Sequence, residues 1–180
     1  MIARPAAPRP LPFARSRQPS PWRVVAAGLA AGAAFLATMW LDQPLLHEPT
    51  DDLVLLGGLL SARPLASRAL GLLLHATNSV ILAGAYAATL ARWPGAPPWL
   101  KGVVFAVSEN LLLWPIVLKL DTVHPWIVRR RLPTYGRPVP FGQEMLRHIA
   151  YGAVLGSLLA PPTAPPPTAP PLTAPLPEPE

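Results

Sequence analysis

VVAAGLAAGAAFLATMWL, residues 24–41, is an 18-residue run without a single charge. At about 1.5 Å of rise per residue it reaches ~27 Å as a helix, close to the hydrocarbon thickness of a bilayer. Trp22 and Trp40 bracket the run, at the depth where headgroups favour indole rings. It predicts a membrane-spanning helix. The competing reading is a cleaved signal peptide. The run is long for a signal core, however, and no A-x-A-like site follows it cleanly.

Working outward, three more stretches carry the same signature. Residues 69–91 are apolar apart from His75, Asn78 and Ser79, and stop near Trp93, Pro94 and Gly95. Residues 102–118 are apolar apart from Ser108, Glu109 and Asn110, and 145–160 make a shorter fourth span. Between the first two, Leu53 to Leu60 is too short to cross; Asp51 is placed to cap it as a helix, and Pro64 suits the first turn of the helix that follows. The fold class expected is therefore an all-α membrane protein: a bundle of four transmembrane helices over 23–160, with a short interfacial or re-entrant helix between the first and second.

Composition agrees with lipid as the solvent. Charged residues make up 13% of the 180-residue chain and the mean hydropathy is +0.34, against roughly 25% charged in an ordinary soluble domain. The absence of cysteine rules out disulfides, thiolate metal sites and thiol nucleophiles. The net charge of +6 comes from arginines flanking apolar runs, a pattern suited to an anionic membrane surface and not to nucleic acid. Residues 1–22, rich in Pro and Arg, and residues 161–180, built on Thr-Ala-Pro repeats, read as disordered tails.

Charge asymmetry leaves the orientation nearly balanced. With the N-terminus inside, Arg4, Arg9, Arg15, Arg17, Arg23, Arg92 and Lys101 supply seven cations; the other side receives Arg63, Arg68, Lys119, Arg129, Arg130, Arg131, Arg137 and Arg147, which is eight. The first helix usually dominates, which favours both termini in the cytoplasm of a bacterium, with the chain multi-pass in its inner membrane.

Glu109 is the most informative single residue, because an ionisable side chain at mid-depth costs about 2.5–3.5 kcal/mol and must be protonated, paired or beside water. His75 and Asn78 lie three apart on one face of the second span, and His148 and Tyr151 do the same on the fourth. Convergence of these faces would make an intramembrane polar cluster of His75, Asn78, Glu109, His148 and Tyr151. Such a cluster could exchange a proton, hold a metal through Glu109, His75 and His148, or lock helix register by hydrogen bonding. With no H-E-x-x-H or Glu-x-x-His pair, no metal site, cofactor or catalytic residue is assigned.

Gly28 and Gly32 on the first span, and Gly152 and Gly156 on the fourth, form G-x-x-x-G pairs that let backbones approach closely. Pro115 lies inside the third span, where it frees the carbonyl of Leu111 and should kink the helix. Arg129, Arg130 and Arg131 suit anionic lipid headgroups or a plain topology anchor. Asp42, Glu48, Asp51 and Asp52 lack the spacing of a calcium loop and read as a solvated acidic connection.

Asp52-Leu53-Val54-Leu55-Leu56-Gly57, Gly71-Leu72-Leu73-Leu74-His75 with Asn78, His124-Pro125, and the run His148 to Gly156 resemble a loose group of small bacterial four-span membrane proteins known as domains of unknown function. The resemblance covers Asp52 to Ala160 and implies an architecture without an activity. Ser108-Glu109-Asn110 departs from it, standing where the group implies a more neutral third span. The function expected is a non-enzymatic structural or interaction role with lipid, other membrane proteins or a second copy. The alternative is a small transporter or proton-linked channel using Glu109 and His75, and a membrane enzyme comes third.

Overall fold

The computed structural model describes residues 19–89, 91 and 94–161; the expectations of disordered tails fall almost wholly outside them. All regular structure among the described residues is helical: α1 (Pro21–Leu46), α2 (Asp52–Gly57), α3 (Pro64–Ala88), α4 (Pro98–Val123), α5 (Pro125–Val128) and α6 (Pro138–Leu158). Proline opens five of the six, a position where its missing N–H would have no partner in any case. Ser20 caps α1 through Arg23 N, and Asp51 caps α2 by accepting from Val54 N at 3.0 Å.

The four long helices pack in the spatial order α4, α6, α1, α3, with α2 laid against α3. Neighbours run antiparallel. Arg23 at the start of α1 donates to the carbonyls of Leu158 and Ala160 at the end of α6, whereas Asp42 near the end of α1 meets Arg147 in the first half of α6. Two ends of the bundle follow: one holds the start of α1 and the end of α6, the other holds the end of α1 together with α2 and α5.

Every span is longer than its apolar core. α1 was expected over 24–41 and continues to Leu46, through Asp42, Gln43 and Pro44. α3 begins five residues before 69 and ends at Ala88, and α4 overruns 102–118 at both ends. α6 begins at Pro138, seven residues before 145, so only a stretch carrying α5 separates it from the end of α4 at Val123. Hydropathy stops where the polar residues start, but these polar side chains bond across helices, so the backbone stays helical. Pro115 sits within the single helix α4.

Glycine sets the closest approaches. A Cβ on Gly102 of α4 would strike the carbonyl of Gly152 on α6, and one on Gly156 would strike the carbonyl of Pro98. Gly28 and Gly32 face α3, where added Cβ atoms would come within 2.8 Å of Ser79 O and 2.6 Å of Ser79 Oγ respectively. Gly102 is a partner that the G-x-x-x-G pattern did not single out.

α1, α3 and α4 are each long and apolar enough to cross a membrane. In α4 only 11% of the most apolar stretch is buried within the protein. Leu112 is 78% exposed, Leu73 64% and Ile81 62%. Apolar faces this continuous exceed what a soluble monomer presents to water, and lipid is their natural solvent. The chain is a multi-pass α-helical membrane protein.

Candidate functional site

The centre of the site is a side chain that sequence reasoning had treated as a flanking charge. Arg147 is fully buried. Its Nε and Nη2 donate to Asp42 Oδ2 and Oδ1 at 2.7 and 2.6 Å, a bidentate fork between α6 and α1. Nη1 donates to Asp52 Oδ2 at 2.8 Å and Glu144 Oε1 at 3.0 Å, and Nη2 also reaches Thr50 Oγ1 at 2.6 Å. All five N–H groups of the guanidinium are thereby used, the arrangement that the planar fork of arginine favours.

A second layer holds this one in place. Thr50 Oγ1 donates to Gln143 Oε1 at 3.0 Å, and Gln143 Nε2 donates to Asp42 Oδ1 at 2.8 Å and to the Glu48 carbonyl. Tyr135 Oη donates to Asp52 Oδ1 at 3.2 Å, while its backbone N–H is held by Asp121 Oδ1 at 2.7 Å. Burial and the neighbouring Asp52 and Glu144 carboxylates hold the Tyr135 phenol well above its ordinary range. The reading of Asp42 and Asp52 as part of a solvated acidic connection is therefore corrected: both are buried, and Arg147 pairs with both. Once Arg147 is removed from the flanks, the two sides carry seven cations each.

One turn deeper lie the residues singled out from the sequence. His148 Nδ1 stands 2.7 Å from the carbonyl of Glu144, which can only accept, so Nδ1 carries a hydrogen. His148 Nε2 then faces Glu109 Oε2 at 3.5 Å, and no other partner reaches that oxygen. The contact joins an imidazole nitrogen to a carboxyl oxygen that has no hydrogen-bond partner among the described residues. Tyr151 Oη donates to the Ser79 carbonyl at 2.8 Å, tying α6 to α3.

His75 does not join Glu109. Its Nε2 donates to the Gly32 carbonyl at 3.1 Å. The Phe35 ring packs against both imidazoles, with centroids 5.0 Å from His75 and 5.1 Å from His148. The proposed metal set of Glu109, His75 and His148 is thereby broken up, and no group of three or more such ligands stands together among the described residues. Asn78 is exposed on the flank of α3.

A cavity of about 140 Å³ joins the two layers, reached by Asp52 and Glu144 from one side and by His75, Asn78, His148 and Tyr151 from the other. Glu144 links them directly: Oε1 touches Arg147, and Oε2 is 3.9 Å from His148 Nδ1. Glu109, His148, Glu144, Arg147, Asp52 and Tyr135 thus follow one another from mid-bundle to the end that carries α2, hydrogen-bonded through their side chains from Glu144 to Tyr135 and separated by 3.9 and 3.5 Å on either side of His148.

At that end His124 is fully buried between α4 and α5. It accepts from Trp126 N through Nδ1 and donates from Nε2 to the Leu55 carbonyl at 2.9 Å, so it is a neutral imidazole in a fixed tautomer. Burial lowers its pKa, opposed in part by the bond to Leu55. Beyond it, Arg130, Arg131 and Arg137 line a surface groove with Glu48, and Arg131 lies over the Trp126 ring at 5.6 Å. Arg129 is exposed and is not part of that groove.

One signal could have found the missed layer: Gln143, Glu144, Arg147, His148 and Tyr151 fall at helical spacings of three and four on one face. It was lost because the fourth span was started at 145. No family model, curated protein or solved structure matches the chain.

Proposed function

We propose that the chain crosses a bacterial inner membrane four times, with α6 as the central crossing, and works as a proton-linked transporter of a small solute. The observation that carries this reading is the pair Glu109–His148, 3.5 Å apart in mid-bundle, with His148 lining a cavity that Asp52 and Glu144 of the Arg147 network also line. A carboxylate and an imidazole in mid-membrane are a costly feature that packing alone does not require. α6 has too many polar residues to count as apolar, but α1 and α4 flank it, so its charges do not meet lipid.

The second reading, a structural and non-enzymatic role with lipids or other membrane proteins, has its own support: every N–H of Arg147 is paired, as in a register lock. On either reading Arg129, Arg130 and Arg131 sit where anionic headgroups would be met. Reconstitution into vesicles with a pH-sensitive dye inside separates the two. Under an imposed pH gradient, wild type should move protons and Glu109→Gln should not, although the variant still assembles. Loss of assembly with no flux from wild type would instead support the structural role.

A further inference from the structure

We infer that the 140 Å³ cavity is a binding site for a small organic cation, an ammonium group on a compact apolar body, admitted sideways from the membrane. This rests on the transport reading for its purpose but not for its chemistry. The charge count comes first. Asp42, Asp52 and Glu144 surround one guanidinium, and Asp42 takes two of its N–H groups as a bidentate pair. Asp52 and Glu144, the two carboxyls that reach the cavity, share what remains.

Glu144 is the group that would meet the cation. It is 7% exposed, and only Oε1 receives a hydrogen bond, from Arg147. Among the described residues Oε2 receives none: His148 Nδ1 stands off at 3.9 Å and is already committed to the Glu144 carbonyl. A carboxyl oxygen beside the cavity thus accepts no N–H bond from the described residues, and a charged N–H donor would give the strongest such bond.

The rest of the lining suits the body of such a ligand. Phe35 and Tyr151 offer ring surface, and Leu55 and Leu56 of α2 offer aliphatic surface. The volume is close to that of engineered apolar cavities of about 150 Å³ that take up benzene. The way in lies on the side of the bundle. Thr50, Tyr135 and Arg147 are fully buried towards the end that carries α2, while Asn78 is exposed mid-way along α3, on a helix whose Leu73 and Ile81 face lipid.

Benzylammonium, benzyl alcohol and benzoate carry the same ring with a cationic, neutral and anionic head. Binding of each to the full chain in lipid nanodiscs, followed by calorimetry or saturation-transfer NMR, tests the assignment. Benzylammonium should bind saturably, the alcohol about tenfold or more weakly, and benzoate not at all. Glu144→Gln should erase the preference for the cation, whereas Asp51→Asn, outside the cavity, should keep it. Asn78→Leu should slow association without removing the preference. Equal binding of benzyl alcohol, any preference for benzoate, or an unchanged preference in Glu144→Gln overturns the proposal; the three-ligand comparison on wild type decides the matter even if that variant fails to fold. Cation-selective binding without proton movement in vesicles would remove the transport reading and leave this inference standing, and proton movement without cation preference would do the reverse.

Discussion

Replacing Arg147 by Met removes five N–H donors from a fully buried position and leaves Asp42, Asp52 and Glu144 facing one another without a cation. Bonds to charged groups at about 1.5–3 kcal/mol each would sum to more than 7 kcal/mol. Stranded carboxylates relax by taking up protons or water, however, so the appropriate scale is the ~3–5 kcal/mol measured when one partner of a buried ion pair is removed. At about 1.4 kcal/mol per factor of ten, that is two to nearly four decades in the folded-to-unfolded ratio, a large share of an ordinary total of ~5–15 kcal/mol. Arg147→Lys should recover little, because a lysine cannot reproduce the bidentate fork on Asp42. The remedy is neutralisation of the partners: Arg147→Met combined with Asp42→Asn, Asp52→Asn and Glu144→Gln should regain at least half of the loss. Denaturant unfolding in mixed micelles, followed by the fluorescence of the six tryptophans, gives the numbers. Arg147→Met within ~0.5 kcal/mol of wild type would refute the claim that this network holds α1, α2 and α6 together.

Gly102→Ala should destabilise by roughly 1–3 kcal/mol, because its Cβ meets the backbone of α6. Gly84→Ala, with nothing within 4 Å, should stabilise α3 by about 0.5–1 kcal/mol in the same assay. The His124 pKa is lowered on folding, so the unfolded chain binds a proton more readily; stability is complete above about pH 6.5 and falls as pH drops below it. His124→Asn should flatten that limb of a pH titration of stability. Tyr135 is raised on folding, so its contribution is complete below about pH 10 and is lost as pH rises further, a limb absent in Tyr135→Phe.

The crossings at residues 24–41, 69–91 and 102–118 were legible because a helix facing lipid must advertise itself by an unbroken apolar run. α6 was legible only in its second half. A central helix screened by its neighbours can carry Gln143, Glu144 and Arg147, and hydropathy reads those residues as loop. The same blind spot hid Asp42 and Asp52, whose partner lies about 100 residues away in sequence, at a distance of 105 for Asp42 and 95 for Asp52. Glu109, His148 and Tyr151 were found because polar groups stand out against apolar surroundings. The separation of His75 from them depends on where Phe35 sits, which no spacing rule conveys.

The absence of cysteine makes a direct measurement simple, since any introduced thiol is unique. Ala62→Cys and Thr134→Cys, at the end with α2 and α5, and Ala96→Cys, at the other end, can each be labelled in sealed, right-side-out vesicles with a membrane-impermeant maleimide. Four crossings in alternating directions predict that residues 62 and 134 share one behaviour and residue 96 shows the opposite. Equal labelling of all three from one side would contradict a bundle that passes through the bilayer.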